Sequence, residues 1–245
     1  MRTVATIEAR MASTRLPGKV LLPAAGRPML GHLIARLREA ASIDAIVLAT
    51  TTNPADDPLA AFARAQGVEV FRGSEDDVME RVIGAAAHGR GDLVVEITAD
   101  CPVIDHRIVE QCVRMFKHNP CDYASNVGVR SYPDGMDVQV FLLAALRRSA
   151  ALTKNQLDRE HVTLHIRNNP ALFKQVNLVA PPDQHWPELG LTLDEAADYE
   201  LLRRVIEHFC ARSNPLFSCA EAVALLRAKP EWTALNIAVA RKGAA

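Results

Sequence analysis

The sequence predicts an α/β fold of three layers, in which helices cover both faces of a mostly parallel sheet. Two observations support this prediction. Short, mostly apolar segments occupy residues 4–7, 45–49, 68–71 and 93–97, and amphipathic segments lie between them. Strands that are buried on both faces are apolar throughout, and right-handed helical crossovers join such strands in parallel.

The predicted helices of the first half follow these strands in order. Apolar residues recur at helical spacing from Met29 to about Ala41. Pro58, at a permitted first-turn position, opens a second helix after Asp57. The polar run at 74–77 caps a third helix, and residues 104–116 form a fourth.

The second half is less regular. Residues 132–135 form a turn, and 136–141 alternate apolar with polar side chains, which predicts a half-exposed antiparallel strand. Helices are predicted at 142–151, 160–167, 199–209 and 220–226, and strands at 173–179 and 191–193. We therefore expect one domain over residues 1–245, with an inserted antiparallel subdomain at about 125–180.

Composition excludes several classes of protein. The chain has 245 residues, is 49% hydrophobic and carries a formal net charge of −1, so nothing global indicates a nucleic-acid or membrane partner. No run has transmembrane length, and the N-terminus lacks the order of a signal peptide, so a cytoplasmic location is expected. The five cysteines include no C-x-x-C pair, which argues against structural zinc and a disulfide framework.

The loop after the first strand has the composition of a triphosphate-binding loop. It carries three cations (Arg10, Arg15 and Lys19), hydroxyls that include Ser13, and the flexible Gly18. Fixed charges, hydroxyl donors and a glycine that permits close backbone approach all suit phosphate oxygens. Loops at the carboxyl edge of a parallel sheet are where α/β proteins bind ligands.

Two aspartates end strands at the same predicted edge. Asp100 follows the fourth strand and Asp194 follows the short strand at 191–193. A triphosphate is bridged by Mg²⁺, which takes one or two carboxylates in addition to phosphate oxygens. Either aspartate can instead cap the helix that comes after it, and from the residues alone both interpretations stay open.

Arg72 and Ser74 follow the third strand at this edge. Either side chain can contact a pyrimidine base, and Gly73 between them leaves room for a planar ring. The alternative for Ser74 is that it caps the next helix. The two roles are compatible if the base reaches the start of that helix.

These motifs resemble a known family. The segment R-M-x-S-T-R-L-P-G-K, followed by G-R-P-M-L, resembles the N-terminal signature of sugar nucleotidyltransferases of the cytidylyltransferase type. The resemblance is to spore coat polysaccharide cytidylyltransferase-like proteins and, more distantly, to CMP-Kdo synthetase and acylneuraminate cytidylyltransferase. T-A-D-C-P at Asp100 and L-D-E-A-A-D-Y at Asp194 resemble the family's two metal-binding motifs, with Ala99 in place of a glycine.

The resemblance implies a three-layer α/β/α nucleotidyltransferase that uses Mg²⁺. Asp100 and Asp194 would hold the metal, and with Arg10 and Lys19 they would form the catalytic set. The implied nucleotide is CTP and the implied acceptor an anionic sugar, either a sugar acid or a sugar phosphate. The product would be a CMP-sugar for a surface polysaccharide or glycan, and the inserted subdomain would hold the sugar and support a homodimer. The implied nucleotide contacts are Arg10, Ser13, Arg15, Lys19, Arg72, Ser74 and Asp100.

Two further motifs predict the sugar side. Y-P-D-G-M-D at 132–137 and R-E-H-V-T at 159–163 resemble family elements that face the acceptor. Arg130 can pair with a sugar carboxylate and Asn126 can bind hydroxyls. The predicted sugar-binding residues are Asn126, Arg130, Asp137, Arg159, Glu160 and His161. The alternatives are an ordinary turn at 134–135 and a structural histidine.

Three alternative functions stay open. The first is a nucleotidyltransferase that uses GTP or UTP, because the base site is weakly marked. The second is a glycosyltransferase on a similar fold, although Asp100-Cys101-Pro102 does not supply the usual D-x-D pair. The third is a nucleotide-binding protein without catalysis.

Overall fold

A computed structural model describes residues 1–240. Its strands are β1 Thr3–Glu8, β2 Pro23–Ala24, β3 Arg27–Pro28, β4 Ala45–Thr51, β5 Glu69–Gly73, β6 Leu93–Thr98, β7 Tyr123–Ser125, β8 Gln139–Leu142 and β9 Gln175–Asn177. Seven of them form the central sheet, in the order β5-β4-β1-β6-β8-β7-β9. The two short strands β2 and β3 form a separate antiparallel hairpin.

All strands of the large sheet run in one direction except β8. Strand β8 is antiparallel to both of its neighbours, β6 and β7. The parallel pairs are β1 with β4, β1 with β6, β4 with β5, and β7 with β9. The three-layer, mostly parallel α/β fold predicted from the sequence is confirmed.

Helices cover both faces of the sheet. They are α1 Met29–Leu37, α2 Asp57–Ala65, α3 Val78–His88, α4 His106–His118, α5 Leu143–Leu152, α6 Gln156–Glu160, α7 Leu164–Asn168, α8 Ala196–Cys210, α9 Cys219–Arg227 and α10 Pro230–Thr233. None of those in residues 1–240 is long and apolar enough to cross a lipid bilayer.

The alternation of side chains along β1 separates two cores. Ala5 and Ile7 pack into the main core, which contains buried residues of α1, α4, α8 and α9. Val4 faces the other side of the sheet and packs with Ala85 of α3. Because successive side chains of a strand point to opposite faces, β1 contributes apolar side chains to the cores on both sides of the sheet.

Two predictions of local structure were wrong in the second half, and one strand was missed. No strand forms at 191–193; the chain bends at Thr192, and a single bridge joins the preceding Gly190 to Asp134. The helix predicted at 160–167 is divided, because Val162 between α6 and α7 has a positive φ of 42°. Strand β7 was not predicted at all.

The alternating segment at 136–141 contributes β8, which lies inside the large sheet rather than at an exposed edge. Strands β8 and β9 both extend this sheet beyond β6. Residues 125–180 therefore continue the central sheet. Their expected role in sugar binding and in a dimer stays a prediction.

Candidate active site

A cavity of about 470 Å³ opens at the carboxyl edge of the parallel strands. The loops after β1 and β6 line it, together with α6 and the segment before α8. Eight of the residues predicted from the sequence lie around it: Arg10, Ser13, Arg15, Lys19, Asp100, Glu160, His161 and Asp194. The fold therefore brings the predicted phosphate loop, both predicted metal carboxylates and two predicted sugar contacts to one space.

The loop after β1 is fixed at both ends. At its start, the Met11 N–H donates to Asp56 Oδ1 at 2.6 Å, and Asp56 is itself buried. At its end, Gly18 has a φ of +68°, a conformation that glycine adopts without strain, and begins the 3₁₀ turn Lys19–Leu21. This turn directs Lys19 toward the cavity.

Lys19 joins the two predicted metal ligands. Its Nζ lies 2.8 Å from Asp194 Oδ1 and 3.8 Å from Asp100 Oδ2. Arg15 adds a second cation, with Nη2 2.9 Å from the same Asp194 oxygen. Two carboxylates from distant parts of the chain thus share one ammonium group beside the cavity.

Backbone contacts fix the two carboxylates relative to each other. The Leu193 N–H donates to the Asp100 carbonyl at 2.8 Å, so the two segments lie side by side. The Thr98 hydroxyl donates to Asp100 Oδ1 at 2.5 Å. Asp198 Oδ2 accepts the backbone N–H groups of Asp194 and Glu195 at 3.1 and 2.9 Å, which caps α8. Asp194 therefore precedes the cap, and its side chain lines the cavity.

Glu8 and Glu96 form a carboxyl pair that sequence reasoning missed. Glu8 ends β1 and lines the cavity, and its Oε1 is buried without a donor among residues 1–240. Burial raises the pKa of Glu8 to about 7, although interaction with the Glu96 carboxyl and the charge of Arg81 oppose the rise. Burial and the charge of Glu8 hold the pKa of Glu96 well above its usual range. One proton shared between the two carboxyl groups would supply the missing donor.

Arg81 is a further residue that was missed. It is 4% exposed, lines the cavity from α3, and donates through Nη1 to the carbonyls of Ser74 and Glu75. A charged residue on an otherwise apolar helical face was the available sequence signal. The corresponding signal for Glu8 was a carboxylate at the end of an apolar strand.

The two residues predicted to contact the base, Arg72 and Ser74, make contacts within the protein. Arg72 donates to the carbonyls of Thr51 and Asn53, at 2.7 Å each, and pairs with Asp57 at 2.6 Å. The Ser74 hydroxyl accepts the Asp77 N–H at 3.0 Å and thereby fixes the turn before α3. The alternative that Ser74 caps this helix was wrong, because the N-cap is Asp77, whose side chain accepts the Glu80 N–H. Neither side chain lines the cavity. A base contact by either residue stays a prediction.

Three predicted sugar contacts from the region before β8 also lie outside the cavity lining. Asn126 is buried, donating to the Met136 carbonyl and accepting the Val138 N–H. Arg130 Nη1 contacts both carboxylate oxygens of Asp137 at 2.8 and 2.7 Å. Burial raises the pKa of Asp137, and Arg130 opposes the rise.

Arg159 is separated from its neighbours in the same motif. It pairs with Asp77 at 2.5 Å and with Glu80 at 3.2 Å, and thereby attaches α6 to the start of α3. Glu160 and His161, by contrast, line the cavity. The motif therefore supplies one arginine that makes two ion pairs with α3 and its N-cap, and two residues at the site.

The fold and this constellation agree with comparisons to known proteins. A cytidylyltransferase family model matches residues 4–228. The chain belongs to the cytidylyltransferase family. It is 34% identical over 229 residues to the spore coat polysaccharide biosynthesis protein SpsF of Bacillus subtilis, a match that covers 92% of this chain and 94% of that protein. As a member of this family, the chain is a nucleotidyltransferase.

Two further relatives bear on fold and substrate. A cytidylyltransferase structure from Leptospira borgpetersenii superposes with a TM-score of 0.89 at 31% identity, covering 95% of this chain and 97% of that one. A 3-deoxy-manno-octulosonate cytidylyltransferase of Chelativorans is 33% identical over 131 residues, which cover 51% of this chain and 50% of that protein. The cytidylyltransferase fold therefore spans nearly all of this chain.

Proposed function

We propose that this cytidylyltransferase transfers the cytidylyl group of CTP to an acidic sugar, with Mg²⁺, and releases pyrophosphate. The observation that carries the proposal is the position of Lys19, which contacts Asp194 and Asp100 beside a cavity that the cationic loop lines. This arrangement combines phosphate-binding cations with metal-binding carboxylates. A nucleotidyl transfer needs both.

The loop cations would bind the β- and γ-phosphates. Arg10, Arg15 and Lys19 all line the cavity, and Ser13 adds a neutral hydroxyl donor. Their present partners are carboxylates, namely Glu75 for Arg10 and Asp194 for the other two. A polyphosphate that replaces these contacts keeps every cation paired. The Asp194 carboxylate, which would lose both cations, would then be compensated by the Mg²⁺ that it is proposed to hold.

The carboxylate set fits Mg²⁺ and does not fit zinc. Asp194 Oδ1 and Asp100 Oδ2 lie within ion-pair distance of the same Nζ, so one cation can be shared between them. Residues 1–240 contain no group of three or more His, Cys, Asp or Glu side chains able to hold a metal. Mg²⁺ needs only one or two carboxylates, since phosphate and water oxygens complete its coordination. When bound, it would offset the charge that develops on the α-phosphate.

The nucleotide and acceptor are inferred from the relatives. CTP follows from the family, and a sugar acid is named as the substrate of the Chelativorans enzyme. The name of the Bacillus subtilis relative supports a product for a surface polysaccharide. Glu160 and His161 line the cavity and would bind acceptor hydroxyls. The homodimer implied by the resemblance stays part of this proposal.

The chain would act mainly through positioning and electrostatics. In the transfer, an acceptor oxygen attacks the α-phosphorus in line with the departing pyrophosphate. Lys19 and Arg15 would stabilise the charge of the leaving group, and the fixed loop would orient it. Burial raises the pKa of the Cys101 thiol well above its usual range, so this neighbour of Asp100 is no nucleophile at neutral pH.

Pyrophosphate release with CTP, Mg²⁺ and a panel of sugar acids and sugar phosphates tests the proposal. Release that requires both CTP and a sugar acid supports it. Release with GTP or UTP instead would correct the base while leaving the enzyme class intact. A protein that binds CTP and releases no pyrophosphate with any acceptor would contradict the proposed transfer.

A further inference from the structure

One carboxamide joins the two ends of the segment that carries Asp194. Asn236 is 4% exposed. Its Nδ2 donates to the Gly190 carbonyl at 3.0 Å and to Asp198 Oδ1 at 2.8 Å. Gly190 and Asp198 bound the stretch in which Asp194 lies. A single side chain from beyond α10 thus bonds to this stretch on both sides of the aspartate.

The contact continues to the backbone of Asp194. Asp198 is fully buried, and its second oxygen, Oδ2, accepts the Asp194 N–H at 3.1 Å. The carboxylate therefore has one oxygen on Asn236 and the other on the main chain of Asp194. Any rotation of Asp198 away from Asn236 would also change the position of that main chain.

The same segment is tied to the other predicted metal ligand. The Leu193 N–H donates to the Asp100 carbonyl at 2.8 Å. Hydrogen bonds of the 190–198 segment therefore hold Asp194 beside Asp100. Asn236 makes the bonds at the two ends of this segment, to Gly190 and to Asp198.

Asn236 lies outside the part of the chain that matches the family model, which ends at residue 228. It is placed by the structure that follows α10, where Leu235 packs against the main core. Because Leu235 is packed, the backbone from which the Asn236 side chain extends is held in place. A side chain that positions another group needs such support.

We propose that Asn236 is a positioning residue that fixes the Asp194 carboxylate relative to Asp100 by way of Asp198. The inference rests on the proposed role of Asp194 at the metal and phosphate site. Side chains that orient a metal ligand without touching the metal typically change metal affinity or activity by about 10- to 100-fold when removed. Asn236 has this relationship to Asp194.

The test compares Asn236→Ala with Asn169→Ala. Asn169 also donates through its amide to a backbone carbonyl, that of His165 at 2.7 Å, but lies at the end of α7 away from the cavity lining. We expect Asn236→Ala to weaken Mn²⁺ binding in the presence of CTP by about 10-fold or more, measured by electron paramagnetic resonance. Asn169→Ala should leave that affinity unchanged.

A double-mutant cycle separates positioning from general destabilisation. In an Asp194→Asn background, Asn236→Ala should lower Tm as it does in the wild type and should cause no further loss of Mn²⁺ affinity. Unchanged Mn²⁺ affinity in Asn236→Ala, or a further loss equal to that in the wild-type background, would overturn the proposal.

The same titration distinguishes failure of this inference from failure of the proposed function. A wild-type protein that binds Mn²⁺ with CTP and releases no pyrophosphate contradicts the proposed function, while the Mn²⁺ affinities still decide the role of Asn236. A wild-type protein that binds no Mn²⁺ with CTP overturns both. If Asn236→Ala fails to fold, Asn236→Ser takes its place, since it retains a polar group and little volume.

Discussion

The ammonium of Lys19 lies 2.8 Å from Asp194 Oδ1, although 175 positions separate the two residues in the chain. The contact joins the phosphate loop after β1 to the segment before α8. Both side chains are largely buried, with 13% and 15% of their surfaces exposed. The ammonium group of Lys19 therefore occupies the position between Asp194 and Asp100 in this structure.

Replacing Lys19 should remove both phosphate binding and this internal cation. We expect Lys19→Met to lower kcat/KM for CTP by about 100-fold or more, since removing one preorganised charged or hydrogen-bonding group costs about that much. Steady-state pyrophosphate release measures the effect. Lys117→Met, an exposed substitution on α4, is the control and should match the wild type. A Lys19→Met enzyme with wild-type kcat/KM would remove Lys19 from the site.

Asp100→Asn should reduce turnover by orders of magnitude with the fold intact. The amide keeps an oxygen to accept the Thr98 hydroxyl, and the backbone bond to Leu193 does not involve the side chain. The lost charge weakens a metal contact that two carboxylates are proposed to make. Turnover and circular dichroism are to be measured together. Near-normal turnover would exclude Asp100 from the mechanism.

The Glu8–Glu96 pair predicts how stability changes with pH. Because the pKa of Glu8 is raised to about 7 in the folded state, folding favours the protonated carboxyl. The stabilisation that protonation provides is complete below about pH 4.5, the ordinary value, and is lost as the pH rises through 7. Glu96→Gln removes one acid and leaves an amide donor for Glu8. As the pH rises from 5 to 8, the Tm of the wild type should therefore fall by several degrees more than the Tm of the variant.

Differential scanning calorimetry at several pH values measures this difference in Tm. The comparison is internal, since both proteins share every other titrating group. A difference in Tm that stays constant from pH 5 to pH 8 would show that the pair does not share a proton.

Gly135 should be intolerant of a side chain. Its φ is +101°, and a Cβ there would lie 2.6 Å from the carbonyl carbon and oxygen of Leu191. Gly135→Ala should lose about 1–3 kcal/mol of unfolding free energy from strain alone, and displacement of the 190–194 segment should lower activity. Gly26→Ala is the matched control, with a φ of +75° and no atom within 4 Å of its Cβ. Equal losses of stability and activity in the two variants would contradict the close contact.

Glu160 provides a test of the acceptor side. Glu160→Gln should raise the KM for the acceptor several-fold and leave the KM for CTP unchanged, because the residue lines the cavity from α6 and belongs to neither the phosphate loop nor the proposed metal ligands. Glu231→Gln, on the exposed surface of α10, serves as the control. An increase confined to the KM for CTP would place the base or the phosphates at α6 instead.

Local sequence patterns predicted the parallel half of the sheet and the cationic loop because their causes are local. Apolar runs determine buried strands, and Gly18 determines the turn that places Lys19. The extended segment before Asp194 was mistaken for a strand, because an apolar run does not reveal whether a pairing partner exists. Its partners are single backbone groups of Asp100 and Asp134.

The ion pairs of the arginines were not predicted. Arg130 pairs with Asp137, seven positions along the chain, and Arg159 pairs with Asp77, which only the tertiary fold brings near. Sugar contacts by these two arginines stay a prediction. Glu8 was missed because its significance depends on Glu96 in the neighbouring strand. Residue type predicts which chemistry is possible, and packing decides which groups are already paired.

Calorimetric titration of the protein with each of the four nucleoside triphosphates in the presence of Mg²⁺ would measure whether this cavity binds a nucleotide and which base it prefers. We expect CTP to bind more tightly than ATP, GTP and UTP, and Lys19→Met to lose most of this affinity. Absence of binding by any nucleoside triphosphate, or equal binding by the wild type and Lys19→Met, would contradict the assignment of this cavity as a nucleotide site.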